Sequence, residues 1–233
     1  MAFPLPNHAS ECVVLVPANG AIEPGCERGL RELEALGYEV RRISGYAAID
    51  QARNQMASDA LADGFQETMW IDSDIVFRGS DVEQLRSADC LINCGIYPKK
   101  GQREIACHVK EGTENILFGE GGGLIELRYA ATGFMLVRAE AYERIETQLA
   151  LPRCNGWFGR TLVPYFLPLV IDHKDSHWYL AEDYAFCERA RQCHITIHAD
   201  TRIRLRHIGR YEYGWEDAGE ATNRYATYRL DLQ

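Results

Sequence analysis

Residues 13–16 form an unbroken apolar run that meets Pro17, and the chain then turns polar at Ala18-Asn19-Gly20. A run of that kind suits a strand buried on both faces and feeding a loop, as in a parallel sheet. Pro24 stands where the first turn of a helix accepts proline, Leu30, Leu33 and Leu36 recur along one side, and Gly37 is placed to end it. Residues 40–43 read as a second strand. Across residues 48–62, Ile49, Ala52, Met56 and Ala60 keep helical spacing, with Arg53-Asn54 turned to another face. A third strand follows at residues 69–71. Ser80-Asp81-Val82-Glu83 has the form of a capping box opening a short helix, and residues 91–96 read as a fourth strand. Strand and helix alternating in this way predict an α/β, Rossmann-like domain with a central mixed, mostly parallel sheet flanked by helices.

The second half is patterned less evenly. A Gly-rich turn at residues 119–123 precedes strands near 124–129 and 134–137, and a helix starts at Ala139. Residues 149–178 form a long irregular stretch, the kind of segment that often carries acceptor sites or lids. A helix opening at Ala181-Glu182-Asp183-Tyr184 turns Phe186, Ala190 and Cys193 to one face. Residues 202–207 alternate with a period of two, which puts His207 with Ile203 and Leu205 on an inner side and the arginines outside.

With 233 residues, 46% of them hydrophobic, the chain suits one compact domain. Within it we expect a nucleotide-binding half over residues 11–100, an acceptor and catalytic half over 101–210, and a tail over 211–233. The net charge of −9 argues against nucleic acid or an anionic membrane as partner, since both select a basic face. The opening MAFPLPNHASE lacks the basic start and apolar run of a leader, and Pro164 and Pro168 break the longest apolar stretch, so we expect no transmembrane segment and a cytoplasmic location. Eight cysteines occur without a paired C-x-x-C spacing. Cys90, Cys94, Cys107 and His108 come nearest to a zinc set, but Cys90 and Cys94 sit in a strand-like run where free cysteine is an ordinary core residue.

Chemistry concentrates where the third strand runs straight into Asp72-Ser73-Asp74. Open α/β sheets hold ligands at the carboxyl ends of their strands, and two acids there repel unless a cation lies between or beside them. A hard divalent ion, Mg²⁺ or Mn²⁺, meets that need by taking oxygen ligands from carboxylates and from a diphosphate. Tyr97-Pro98-Lys99-Lys100 offers two ammonium groups to a phosphate, or makes an ordinary basic loop. Trp157, Trp178 and Trp215 are open to two readings, as platforms for sugar rings or as local core.

The apolar strand ending in D-x-D, with Ala52-Arg53-Asn54 on the helix before it, resembles the family-2-type GT-A glycosyltransferases. The likeness runs from Val13 to about Gly209 and lies in the order of the motifs. It implies a GT-A domain that moves a sugar from a nucleoside-diphosphate sugar, a UDP- or GDP-sugar, to an acceptor hydroxyl, a glycan among the candidates, with Mn²⁺ or Mg²⁺ as cofactor. It implies that Pro17 and Arg53 shape the nucleotide pocket, that Asp72 lies near the ribose and the metal, and that Asp74 binds the metal. Ala131-Thr132-Gly133-Phe134 resembles the turn that lies against the donor sugar in such enzymes, although a hairpin or bulge explains Gly133 as well. Glu182-Asp183 resembles the family's E-D motif, with Asp183 as general base in an inverting transfer; acids in a first helical turn are also favoured by the helix dipole. His207, with Gly209 just beyond, resembles a third metal ligand, or is a core histidine with its needs met.

Three other readings compete. Asp72-Ser73-Asp74-Ile75-Val76 also fits the D-x-D-x-[TV] motif of haloacid-dehalogenase-type phosphatases, with Asp72 as nucleophile, but there the motif ends the first core strand and here two strand–helix units precede it. A sugar nucleotidyltransferase would need a Gly-rich, Arg-containing cradle in the first loop, which is lacking. A catalytically silent nucleotide-sugar binding module has no need of intact acids at both motifs.

Overall fold

The computed structural model describes residues 9–219 and 227–232; the leader reading at residues 1–8 lies outside the described residues. In chain order the elements are β1 (Cys12–Pro17), α1 (Pro24–Ala35), β2 (Glu39–Ile43), α2 (Ile49–Ala62), β3 (Glu67–Ile71), β4 (Ile75–Val76), α3 (Gly79–Ser87) and β5 (Ile92–Cys94). There follow β6 (Cys107–Val109), β7 (Asn115–Gly119), β8 (Leu124–Ala130), β9 (Phe134–Arg138), α4 (Ala139–Gln148), β10 (Leu169–His173) and β11 (Ser176–Leu180). The last are α5 (Glu182–Gln192), β12 (Ile197–Asp200), β13 (Arg206–Ile208), β14 (Glu212–Tyr213) and β15 (Thr227–Asp231).

Eight strands make the central sheet, in the order β2-β1-β3-β9-β5-β12-β8-β6. The α/β expectation holds and the sheet is mixed, but it is not mostly parallel as expected. Six strands point one way, but β8 and β9 are reversed and lie between forward strands. The pairings β2–β1, β1–β3 and β5–β12 are therefore parallel, and the other four antiparallel. An apolar run reads the same in either direction, so the sequence pattern carried no sign of the two reversals.

β1 shows why the sheet is buried on both faces. Val13 and Leu15 enter a core with Met56, Trp70, Tyr142 and Phe186, while Val14 and Val16 enter a second core with Leu30, Leu33, Met69 and Ile71. Fully burying side chains of this size contributes roughly 1.5–3 kcal/mol each, before chain entropy is charged. In α1 the core face is Cys26, Leu30 and Leu33; Leu36 is 55% exposed because the helix stops at Ala35 and Gly37 turns the chain at φ +93°. In α2, Ala52, Met56 and Ala60 are buried as expected, and so are Arg53, Asn54 and Gln55.

Three elements differ from the sequence reading. The capping box of α3 sits two residues earlier than Ser80: the Arg78 N–H donates to the Asp81 carboxylate at 2.8 Å, and Gly79 N–H is met by Glu32 of α1 at 2.8 Å. Within 149–178 the chain forms the hairpin β10–β11, in which Ile171 pairs with Trp178. The strand expected at 202–207 is only β13, because Asp200 draws back both the Arg202 backbone N–H at 3.0 Å and its guanidinium at 2.8 Å, bending the chain before Ile203. The expected alternation survives in burial alone: Ile203 and Leu205 are core.

β13 joins β14 on one side and β4 on the other in a small satellite sheet, in which His207 pairs with Ile75. In the tail, β15 pairs with β7, and Trp215 stacks on Phe118 with ring centroids 4.8 Å apart.

Candidate active site

β3 delivers Asp72 to the edge of the sheet, and the Asp72 N–H continues the β3–β9 ladder by donating to the Gly133 carbonyl at 2.9 Å. A turn closed by Ile75 N–H on the Asp72 carbonyl, 3.1 Å, separates β3 from β4 and aims the D-x-D side chains outward. The satellite sheet then carries His207 to Asp74: the Ile208 N–H donates to the Asp74 carbonyl at 2.8 Å, and His207 Nε2 lies 3.5 Å from Asp74 Oδ1.

The other nitrogen of His207 decides what that pair can do. Nδ1 lies 2.9 Å from the Pro98 carbonyl, which only accepts, so Nδ1 carries a proton. Nε2 then either holds a second proton or turns a lone pair toward a carboxylate. A proton or a metal ion relieves that opposition, and a backbone-anchored Nδ1–H is the usual outer support of a ligating histidine. Asp74 is also ion-paired with Lys100. Burial would raise the Asp74 carboxyl, but His207 and Lys100 outweigh it and hold the group below the usual carboxylate range. Among the described residues no group of three or more His, Cys, Asp and Glu side chains encloses a metal. Two donors of the kind a divalent ion takes, Asp74 and His207, stand side by side there.

Asp72 is engaged differently. Arg53, 3% exposed, donates from Nη2 to Asp72 Oδ1 at 2.8 Å and has Nε 3.7 Å from Glu182, with its guanidinium 5.5 Å from the Trp70 ring. Burial works against the Arg53 charge, and Asp72 and Glu182 more than restore it. Asn54, next along α2, accepts the Phe166 N–H at 2.6 Å and so ties the 149–168 segment to the helix that carries Arg53.

Gly133 is required where it stands. A Cβ there would lie 2.3 Å from the Tyr97 hydroxyl and 2.7 Å from Asp72 Oδ2. Its N–H donates to the Tyr97 hydroxyl at 3.0 Å. Tyr97 is buried, and burial, with Asp72 and Asp183 adding, keeps its phenol protonated far above neutral pH.

Asp183 stands in the first turn of α5, where the Tyr184 N–H donates to its Oδ1 at 2.7 Å. The sequence argument has the helix dipole keep this acid ionised; instead burial, with Glu182 adding, pushes it up to about 6. Asp183 faces an open pocket of about 390 Å³ together with Asp72, Tyr97, Lys99, Lys100, Tyr184 and His207. Pro17 lines a neighbouring hollow of about 70 Å³ with Tyr46, Ile49 and Ala52.

Several candidates have other engagements. Lys99 is paired with Glu104 at 2.6 Å, so it is not a free cation at the pocket. Trp215 is core, Trp157 is 95% exposed, and Trp178 is half-buried among aromatic rings. The cysteines are free thiols; burial raises Cys94 and takes Cys107 up to about 12, as for core residues. The sequence reading assigned no role to Tyr97 or Tyr184. Each stands one or two positions from a residue it did single out, Lys99 and Asp183, and adjacency was the only signal available.

No family profile and no curated protein matches the chain in sequence. Among solved structures, A197 from STIV is similar with a TM-score of 0.53 at 14% identity, covering 85% of both chains. That is a likeness of fold. Weaker likenesses are to GalNAc-T7, solved with UDP, GalNAc and Mn²⁺, with a TM-score of 0.47 at 10% identity, and to a glycosyltransferase involved in glycosylation of the PBCV-1 major capsid, with a TM-score of 0.34 at 15% identity. The first covers 86% of this chain, which spans 44% of that one; the second covers 59% and 65%. Among the described residues no helix is long and apolar enough to cross a membrane.

Proposed function

We propose that the chain is a metal-dependent glycosyltransferase that moves a sugar from a nucleoside-diphosphate sugar to an acceptor hydroxyl with inversion. The observation that carries the reading is the pocket that gathers Asp72, Asp183 and His207 on its wall, where burial and Glu182 push the half-buried Asp183 carboxyl up to about 6. A general base serves best when its pKa lies near the working pH, because it is then ionised yet still basic enough to take a proton.

The roles follow from the chemistry of each group. Asp183 accepts the proton of the acceptor hydroxyl as that oxygen attacks the anomeric carbon. Asp74 and His207 would hold a divalent ion, which when bound supplies positive charge to the departing diphosphate. An imidazole ligand favours Mn²⁺ over Mg²⁺, whose preference is for oxygen. Lys100, which lines the pocket, would set its ammonium against the diphosphate. Arg53 fixes Asp72 beside the ribose, and the hollow at Pro17 and Tyr46 takes a flat base. Gly133 lets Tyr97 and Asp72 close onto the backbone, and the donor sugar would lie against those two side chains. On this reading residues 11–100 hold the nucleotide and residues 101–210 serve the acceptor.

The phosphatase alternative needs Asp72 free to attack phosphorus, and its Oδ1 is committed to Arg53. The test is a thermal-shift panel of UDP, GDP, CDP and dTDP, each with and without Mn²⁺, followed by donor turnover with the nucleotide that stabilises. A nucleoside diphosphate that stabilises only with metal supports the transferase. Indifference to all four, or covalent phosphorylation of Asp72, overturns it.

A further inference from the structure

Tyr184, beside Asp183 at the pocket, belongs to an aromatic cluster centred on His108. The His108 ring meets Tyr184 and Trp178 with centroids 5.1 Å away in both cases, and Tyr129 at 6.2 Å, all edge-on. Those are ring contacts only. Among the described residues neither ring nitrogen of His108 has a hydrogen-bond partner, and neither is sealed from solvent. Burial first, then Lys99 and Arg128, push the imidazole below the ordinary histidine range. At neutral pH it is uncharged, with one N–H to give and one lone pair to receive.

That pairing of donor and acceptor on one flat ring matches a hydroxyl group. It does not match a carboxylate or phosphate, which can use the N–H and not the lone pair. The neighbouring rings supply apolar surface of the kind on which the C–H face of a sugar lies. Lys99 is already paired with Glu104, and Arg128 lies over Tyr129 and Trp178 and lines a separate cleft of about 630 Å³.

We propose that His108, flanked by Tyr184 and Trp178, recognises the acceptor, hydrogen-bonding the hydroxyls of a neutral pyranose whose next hydroxyl reaches Asp183. This rests on the transferase reading above and adds the class of acceptor to it. His108 reaches the pocket through Tyr184 and would act on the acceptor alone, so its loss should raise the acceptor KM and leave donor binding alone.

The experiment uses the full chain with ¹⁵N-labelled histidine, UDP and Mg²⁺, titrated with p-nitrophenyl β-glucoside, β-galactoside and β-glucuronide, and with p-nitrophenol alone. A neutral glycoside should move the His108 ring-nitrogen signals, which a purely structural histidine would not show. His108→Phe should weaken glycoside binding about ten-fold, the worth of roughly one hydrogen bond, and His108→Gln should recover it to within about three-fold. UDP affinity should be unchanged in both. Equal binding by His108→Phe, an equal response to p-nitrophenol, or preference for the glucuronide overturns the proposal. If UDP binds with metal and no neutral glycoside does, the subsite fails and the transferase reading stands. If a glycoside engages His108 while no nucleoside diphosphate binds, the subsite stands and the transferase reading falls.

Discussion

Asp183 and Asp74 lie at one site and are shifted in opposite directions, so they respond to pH with opposite sign. Asp183, pushed up to about 6, binds its proton more tightly folded than unfolded. Its ionisation therefore costs stability as pH rises from about 4 to about 6, by up to roughly 2–3 kcal/mol at neutral pH. Asp74 is held low, so its contribution is present at neutral pH and lost as acid protonates it. We expect Asp183→Asn to cut transfer by about two to four orders of magnitude, to leave metal-dependent nucleotide affinity unchanged, and to raise the melting temperature at pH 7 but not at pH 4. Single-turnover assays and calorimetry on the same mutant check this, with Glu182→Gln as control; wild-type transfer by Asp183→Asn would give the proton-accepting role to another group. In the wild type, kcat/KM should fall below about pH 6. Lys100 is a partly exposed partner of Asp74, and such pairs are worth about 0.2–1 kcal/mol. Lys100→Met should tighten Mn²⁺ binding to the nucleotide-free protein about two- to five-fold while weakening the nucleotide, as read by electron paramagnetic resonance.

At the scale of elements, the turn between β8 and β9 and the support of the 149–168 segment are the sensitive places. Gly133→Ala inserts a methyl group 2.3 Å from the Tyr97 hydroxyl, so Tyr97 and Asp72 must both shift. We expect a folded protein whose nucleotide affinity drops at least about ten-fold; a crystal structure with Tyr97 unmoved would contradict this. Arg189 of α5 is buried and donates to the carbonyls of Tyr165 at 3.3 Å and Leu167 at 2.6 Å, and burial alone lowers it to about 10. Arg189→Met strands two carbonyls and should destabilise by about 1–3 kcal/mol, with protease cleavage appearing first in 149–168. Legibility follows the same division. β1, β3 and α5 could be read because unbroken apolar runs and helical spacing are local properties. The hairpin β10–β11 could not, since Leu169, Ile171 and Trp178 are only half-buried and alternate with polar residues no more clearly than a loop does. β13 was overdrawn because Ile203 and Leu205 keep the alternation of a strand without its ladder.

For the molecule as a whole, residues singled out by motif come together in space, whereas strand direction could not be read from the chain. Asp72, Asp183 and His207 stand far apart in sequence and meet in one pocket, whereas the reversed strands β8 and β9 left no trace in composition. A ligand that binds only the folded state at about a hundred times its Kd adds about 2.7 kcal/mol. For a domain of this size that is a rise in melting temperature of about 5–10 °C, expected with Mn²⁺ and the matching nucleoside diphosphate together and absent with either alone. The pairing of His207 with Ile75 has a consequence for the order in which the protein comes into being. On the ribosome the D-x-D leaves the exit tunnel long before β13 is made, and domains fold from their amino-terminal side as they emerge. The nascent chain thus holds its two acids without their histidine until β13 has been translated. Competence to bind a metal-borne nucleotide should therefore switch on late and abruptly, and ribosome-arrested chains that expose only up to Asp200 should show no Mn²⁺-dependent affinity for nucleotide.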